Sequence, residues 1–187
     1  MSTPDGCGPG GDQSALRTFF TDGSRRTFEG ALADGPCLCE RLVPRGMNDL
    51  VQRARCAIVM VANLLPLPSL RVPLYRLAGV RVGHGAYISP HVVIDPLYPQ
   101  LIRIDTGALL GLGCRLMTHE YTATRFRLGR VHVGEGSVVG AFSTVRSGVR
   151  IGARATIGMH SFVNEGEGRA DPTSTRQNRR RDRDDPD

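Results

Sequence analysis

The sequence predicts an all-β body, a parallel β-helix of about four coils, fronted by one helix and flanked by disordered termini. Three observations predict it. An aliphatic residue returns every six positions between Val82 and Val163, a small or slim residue sits four places after most of these beats, and a glycine directly follows many of them. Strand alternation has period 2 and helix periodicity 3.6, so neither alone produces a strict six. A short strand followed by a corner, repeated, does.

Taken in chain order, residues 1–45 are rich in Gly, Asp, Ser and Pro without sustained periodicity, and are expected to form a largely disordered arm. They hold no charged-then-apolar leader, so no secretory signal is expected. Residues 46–71 are read as a helix and linker. The helix covers 47–65, with Asn48 or Asp49 near its start and Pro66 and Pro68 stopping it. Its longest apolar run, Cys56 to Ala62, is far short of the roughly 20 residues that span a bilayer. The favoured reading is a lid over the open end of the prism, since an open sheet end needs a cover. The competing one is an interfacial membrane anchor, with Arg53, Arg55, Arg71 and Arg76 near anionic headgroups.

The repeat body is assigned to residues 72–168. Its beats are Val82, Ile88 and Ile94; Ile104, Leu110 and Leu116; then Val133, Val139, Val145, Ile151, Ile157 and Val163. Each beat points into a narrow prism. The residue four later does too, and must be small: Ala86, Ala108, Cys114, Ser137, Ser143 and Ala155 are examples. Glycine beside the beat is expected to let the backbone turn a corner. Three hexads make one triangular turn, so the runs give one, one and about two turns, stacked at roughly 4.8 Å. Residues 169–187 mix six Arg with five Asp and are expected to be a solvated, disordered tail rather than a nucleic-acid arm.

Composition agrees with one such domain. The chain has 187 residues, 40% of them hydrophobic but only 5% aromatic, and no Trp, as a slim interior requires. Its net charge of +6 is carried wholly by arginine. The five cysteines at 7, 37, 39, 56 and 114 have no zinc spacing, no metal site is expected, and a reducing cytoplasm is the default location.

The beat breaks twice, at Asp95-Pro-Leu-Tyr-Pro-Gln and again after Leu116, where Met-Thr-His-Glu-Tyr leads out of the repeat until Val133. Excursions from a rigid scaffold are favoured places for function. The stretch VGHGAYISPHVVIDP…IDTGALLGLGCRLMTHE…VHVGEGSVVGAFSTVRSGVRIGARATIGMHSFV resembles the hexapeptide-repeat acyltransferases, closest to the maltose, galactoside and xenobiotic acetyltransferases. The likeness covers about residues 72 to 165, roughly half the chain, and from it alone comes the expectation that the β-helix is left-handed.

The resemblance implies the chemistry. In such enzymes a histidine just before the external loop, here His119, is the general base that takes a proton from the acceptor as it attacks acyl-CoA. Histidine's ordinary pKa suits that role. Glu120 or Asp95 could orient the imidazole or bind the acceptor; for Asp95 the ordinary alternative is capping the turn before Pro96. Gly140, Ala141, Gly158 and Met159 fall where relatives line the pantetheine groove. The CoA phosphates call for arginines, with Arg146, Arg150 and Arg154 in the later turns and Arg125, Arg127 and Arg130 on the loop as candidates. Asn164 and Glu165 stand where relatives carry Thr and a basic residue, and an acid there would weaken CoA binding. The donor is therefore acetyl-CoA or another acyl-CoA, the acceptor small and hydroxylated or carbohydrate-like, and the assembly a homotrimer in which His119 faces a neighbour's donor groove. No nucleic-acid partner is expected. Two other functions share the scaffold: a γ-type carbonic anhydrase, which needs histidines five apart that this sequence lacks, and a non-catalytic repeat scaffold.

Overall fold

The computed structural model describes residues 13–31, 49–121 and 125–165. Its body is the parallel β-helix that the repeat predicts. Twelve short strands form four triangular coils. The first coil is β2 (Arg81–Val82), β3 (Tyr87–Ile88) and β4 (Val93–Ile94); the second is β5 (Ile102–Ile104), β6 (Leu109–Leu110) and β7 (Arg115–Leu116). The third is β10 (Val131–Val133), β11 (Val138–Val139) and β12 (Thr144–Val145), and the fourth is β13 (Arg150–Ile151), β14 (Thr156–Ile157) and β15 (Phe162–Val163). They stack as three four-stranded sheets in the orders β13-β10-β5-β2, β14-β11-β6-β3 and β15-β12-β7-β4.

Register places beat upon beat. Val82, Ile104, Val133 and Ile151 align down one sheet; Ile88, Leu110, Val139 and Ile157 down the next; and Ile94, Leu116, Val145 and Val163 down the third. All but Val82 and Ile157 are buried, and those two pack against the same core. Each fully buried aliphatic side chain stabilises the fold by about 1.5–3 kcal/mol. The inward serines satisfy their hydroxyls on corner carbonyls: Ser137 on Gly134 at 2.6 Å, Ser143 and Ser161 on Gly158 at 2.8 and 2.9 Å.

The corners correct one expectation. The residue in the left-handed region is not the glycine beside the beat but the residue three after it, at 85, 91, 107, 113, 136, 142, 148, 154 and 160. Five of these are Gly, and the others are His91, Phe142, Arg154 and His160. At Gly83, Gly111, Gly134 and Gly140 the glycine beside the beat is needed because the neighbouring coil approaches too closely for a side chain. A Cβ on Gly140 would lie 2.6 Å from the Gly158 carbonyl carbon and the Met159 nitrogen.

Two helices, α2 (Asp49–Leu64) and α3 (Pro68–Leu77), close the first coil. The expected single helix is therefore a pair: Pro66 ends one, but Pro68 opens another, because proline in the first helical turn sacrifices no hydrogen bond. Their side chains occupy the edge that a further coil would have paired. Asn63 donates to the Ile94 carbonyl at 3.0 Å and accepts from its N–H at 3.2 Å. Arg71, fully buried, donates to the carbonyls of Ser89 and Val92 at 2.5 and 2.8 Å, and also to Ala62 and the Tyr75 hydroxyl. Arg76 covers the carbonyls of Val82 and Gly83, both at 3.1 Å.

Part of the expected disordered arm is ordered. Helix α1 (Gln13–Thr21) and strand β1 (Thr27–Ala31) lie within residues 1–45 and join the external hairpin β8 (His119–Tyr121) and β9 (Arg125–Gly129) in an antiparallel sheet of order β1-β9-β8. This unit builds a second small core from Phe19, Tyr98, Leu101, Phe126 and Leu128. Residues 1–12 and 32–45 of the arm and the whole 169–187 tail lie outside the described residues.

Candidate functional site

Both breaks in the repeat leave the prism from the end of the same sheet, Asp95 after β4 and Thr118 after β7, and Ile94 and Leu116 are register partners. Stacking therefore sets Asp95 directly against the root of the hairpin. Its carboxylate is fully buried. Oδ2 accepts from the Thr118 N–H at 2.8 Å, the Thr118 hydroxyl at 2.6 Å and the His119 N–H at 3.2 Å, and lies 2.5 Å from His119 Nδ1. Oδ1 accepts from the Leu97 N–H at 3.0 Å. Asp95 is thus both turn cap and imidazole partner. Burial pushes its carboxyl pKa up, but the hydrogen bonds and charge of His119, with those of Thr118, outweigh this and hold it below the ordinary 3.8. Helix α2 braces the turn through Gln52, whose amide donates to the Leu97 carbonyl.

With Nδ1–H donated to Asp95, His119 keeps its Nε2 lone pair available. The ring is flanked by Tyr98 (centroids 6.4 Å, edge-on) and Tyr121 (5.3 Å, tilted) and its side chain is 16% exposed. A positioned, partly screened imidazole whose second nitrogen is fixed by a buried carboxylate can act as a general base.

Glu120 does not share this task. It follows His119 on β8 and turns toward the next coils: Oε2 accepts from Arg146 Nε and Nη2 at 2.7 and 2.6 Å, and Oε1 from the Ser147 hydroxyl and N–H at 2.6 and 3.2 Å. Burial raises its carboxyl pKa, and these bonds more than reverse the effect. Arg146 also donates to Asn164 Oδ1 at 3.4 Å. Glu120, Arg146 and Asn164 therefore form one column on the corner that carries His119. Beside it Glu165, the acid standing where relatives carry a basic residue, pairs with Arg127 of β9 at 2.5 Å.

Gly140, Ala141, Gly158 and Met159 lie elsewhere. They follow β11 and β14, whereas the His119 corner follows β7, so the width of the third sheet separates the two groups within one protomer. Of the loop arginines proposed for phosphates, Arg127 is paired with Glu165, and Arg130 binds the carbonyls of Phe19, Asp22 and Arg25 while its guanidinium lies 5.0 Å from the Phe19 ring centroid. Arg150 and Arg154 are exposed.

The sequence did not reveal a second histidine–carboxylate pair, His132 Nε2 to Asp105 Oδ2 at 2.6 Å. It lies outside the prism on the first sheet, where Arg81, Arg103, His132 and Arg150 are register partners, and Arg103 shares the carboxylate at 2.7 Å. The ladder was readable from hexad position; Asp105 as partner was not. Among the described residues no three His, Cys, Asp or Glu side chains gather as a metal cluster. Burial pushes the Cys114 thiol up to about 12.

Comparison with known proteins agrees with the repeat. Residues 130–165 match the family described as bacterial transferase hexapeptide (six repeats). A Bacillus subtilis (strain 168) protein named "Putative acetyltransferase YvoF" is 27% identical over 109 residues, 58% of this chain. The chain spans 63% of that relative's length. A hexapeptide-repeat-containing acetyltransferase of Vibrio cholerae, solved by crystallography, superposes with a TM-score of 0.38 at 14% identity, over 59% of this chain and 86% of that one.

Proposed function

We propose that this hexapeptide-repeat protein is a CoA-dependent acyltransferase, moving an acetyl or other acyl group to a hydroxyl or amine of a small or carbohydrate-like acceptor. The observation that carries the reading is the buried Asp95–Thr118–His119 constellation at the root of the external hairpin. The matched repeat and the acetyltransferase named among its relatives support the reaction class.

In this reading His119 Nε2 accepts the acceptor's proton as its oxygen or nitrogen bonds to the thioester carbonyl carbon. The tetrahedral oxyanion collapses, the C–S bond breaks, and the imidazolium returns the proton to the departing CoA thiolate. Asp95 holds the tautomer and stabilises the transient imidazolium. Tyr98 and Tyr121 wall the ring and restrict water. No protein nucleophile is needed, which accords with a Cys114 thiol kept neutral by burial.

The donor lies along the Gly140–Ala141 and Gly158–Met159 corners, where a pantetheine arm meets exposed backbone. Because these corners are a sheet's width from His119, a homotrimer in which one protomer's His119 faces its neighbour's corners completes the site. Arg146, already neutralised by Glu120, orders the His119 corner together with Asn164, and the Arg127–Glu165 pair offsets the acid that would otherwise face CoA. The free thiols of Cys56 and Cys114 suit a reducing cytoplasm.

Thiol release from acetyl-CoA with a panel of sugars and amines tests the proposal. His119→Ala is expected to lower kcat by about 10²–10⁴-fold with an unchanged circular dichroism spectrum, while His132→Ala retains activity. No calorimetric CoA binding at millimolar ligand overturns it in favour of a non-catalytic scaffold.

A further inference from the structure

The helical cap has two apolar faces and the prism uses only one. Val59, Ala62, Tyr75 and Ala78 are buried against the first coil. On the opposite side Leu50, Val61, Leu64, Leu67, Leu70 and Leu77 are each more than half exposed, Leu50 by 80% and Leu64 by 85%. Along α2 the exposed stripe runs Leu50, Ala54, Ala57, Val61 and Leu64, the spacing of one helix face. A cap that faced only water would carry polar groups there. Contiguous exposed apolar surface marks an interaction site.

Charge selects the partner. Residues 50–94 contain five Arg and no Asp or Glu. Arg71 is consumed inside the cap, so it leaves the group of headgroup-binding arginines; Arg53, Arg76 and Arg81 are exposed. At the C-terminal end of α3 a shallow pocket of about 430 Å³ is lined by Arg76, Arg81 and Arg103. Its one acid, Asp105, is paired with Arg103 and His132. Two copies meeting through this face would set the arginines of one against the arginines of the other. We propose that the α2–α3 face docks on an anionic bilayer surface, its leucine stripe at the acyl boundary and Arg53, Arg76 and Arg81 against lipid phosphates. The helices, of 16 and 10 residues, lie in the interface rather than cross it, and among the described residues no helix is long and apolar enough to span a membrane. Lid and anchor are thus two faces of the same hairpin.

Flotation of the full chain with vesicles tests this independently of catalysis. Partition into an equal mixture of phosphatidylcholine and phosphatidylglycerol is expected to exceed partition into phosphatidylcholine alone by about tenfold or more, and to weaken with salt. Val61→Glu/Leu64→Glu, at exposed positions, lowers it by about tenfold or more with thermal midpoint and sedimentation unchanged. Arg53→Glu/Arg81→Glu abolishes the preference for the anionic lipid. The proposal is overturned if the wild-type chain floats with neither vesicle, if the paired glutamates leave flotation unchanged, or if they instead dissociate an oligomer, which makes the face a contact between copies.

Discussion

Replacing Asp95 by Asn separates its two duties. The carboxylate answers three donors through Oδ2 on the Thr118–His119 side besides the His119 ring, and one, Leu97 N–H, through Oδ1. Removal altogether, as in Asp95→Ala, strands several buried donors at about 1–3 kcal/mol each, a loss on the order of 3–5 kcal/mol. That is a large part of a typical domain's stability, so the alanine variant reports folding more than function. Asparagine keeps the shape. Its single carbonyl oxygen is expected to face Thr118 and His119, where more donors wait, leaving Leu97 N–H without an acceptor at about 1–3 kcal/mol. The tautomer of His119 is then preserved, but the negative charge that stabilises its imidazolium is gone. For charge centres about 4 Å apart at an effective dielectric near 20, that loss is roughly 3–4 kcal/mol, which is about a hundred- to a thousandfold in kcat. The assay is thiol release under saturating acetyl-CoA, alongside nitrogen NMR of the imidazole to show that Nδ1 keeps its proton. An Asn variant that is folded, retains the Nδ1–H tautomer and keeps kcat within about threefold of wild type refutes the role assigned to Asp95.

Three further outcomes test the fold and its electrostatics. Gly140→Ala is expected to cost about 1–3 kcal/mol, read by chemical denaturation, because its Cβ would meet the Gly158 and Met159 backbone at 2.6 Å. Gly107→Ala should cost about 1–2 kcal/mol although nothing lies within 4 Å of the added carbon, since its φ is +65°; Gly107→Asn should recover much of that loss. Asp95, Asp105 and Glu120 all have folded pKa values held below the ordinary 3.8 and 4.5. Their contribution to stability is therefore full above those values and lost as pH falls through the folded ones. The thermal midpoint should drop below about pH 4, and Asp95→Asn should show a shallower acid slope than wild type.

The body of the protein was legible because a six-residue period constrains every coil in the same way. Beats, inward small residues and coil count all follow from Val82 to Val163, and the register stacks each beat on its counterpart. The corners were legible only in part. A glycine beside the beat and a glycine three places after the beat look alike in sequence, yet one answers crowding between coils and the other a left-handed dihedral. Phe142 and Arg154 show that the second position tolerates side chains, which obscures its meaning in the sequence. Helix α1 and strand β1 have no readable period of their own, because each is short and borrows its apolar partners from the hairpin.

The residues of the candidate site were readable in the sequence, but their pairings were not. Asp95, His119 and Glu120 all stand at breaks in the beat, and nothing in one dimension decides which carboxylate meets the imidazole. Stacking decides it: Asp95 leaves the first coil one residue past the Ile94–Leu116 pair, within reach of Thr118 and His119, whereas Glu120 points along β8 toward Arg146 of the third coil. The same logic explains Glu165. Read alone it sets an acid beside the His119 corner, but the hairpin that the N-terminal strand holds in place pairs it with Arg127. The N-terminal arm, which carries no recognisable motif, is thus tied to the charge balance beside His119 through the strand pair β1 and β9.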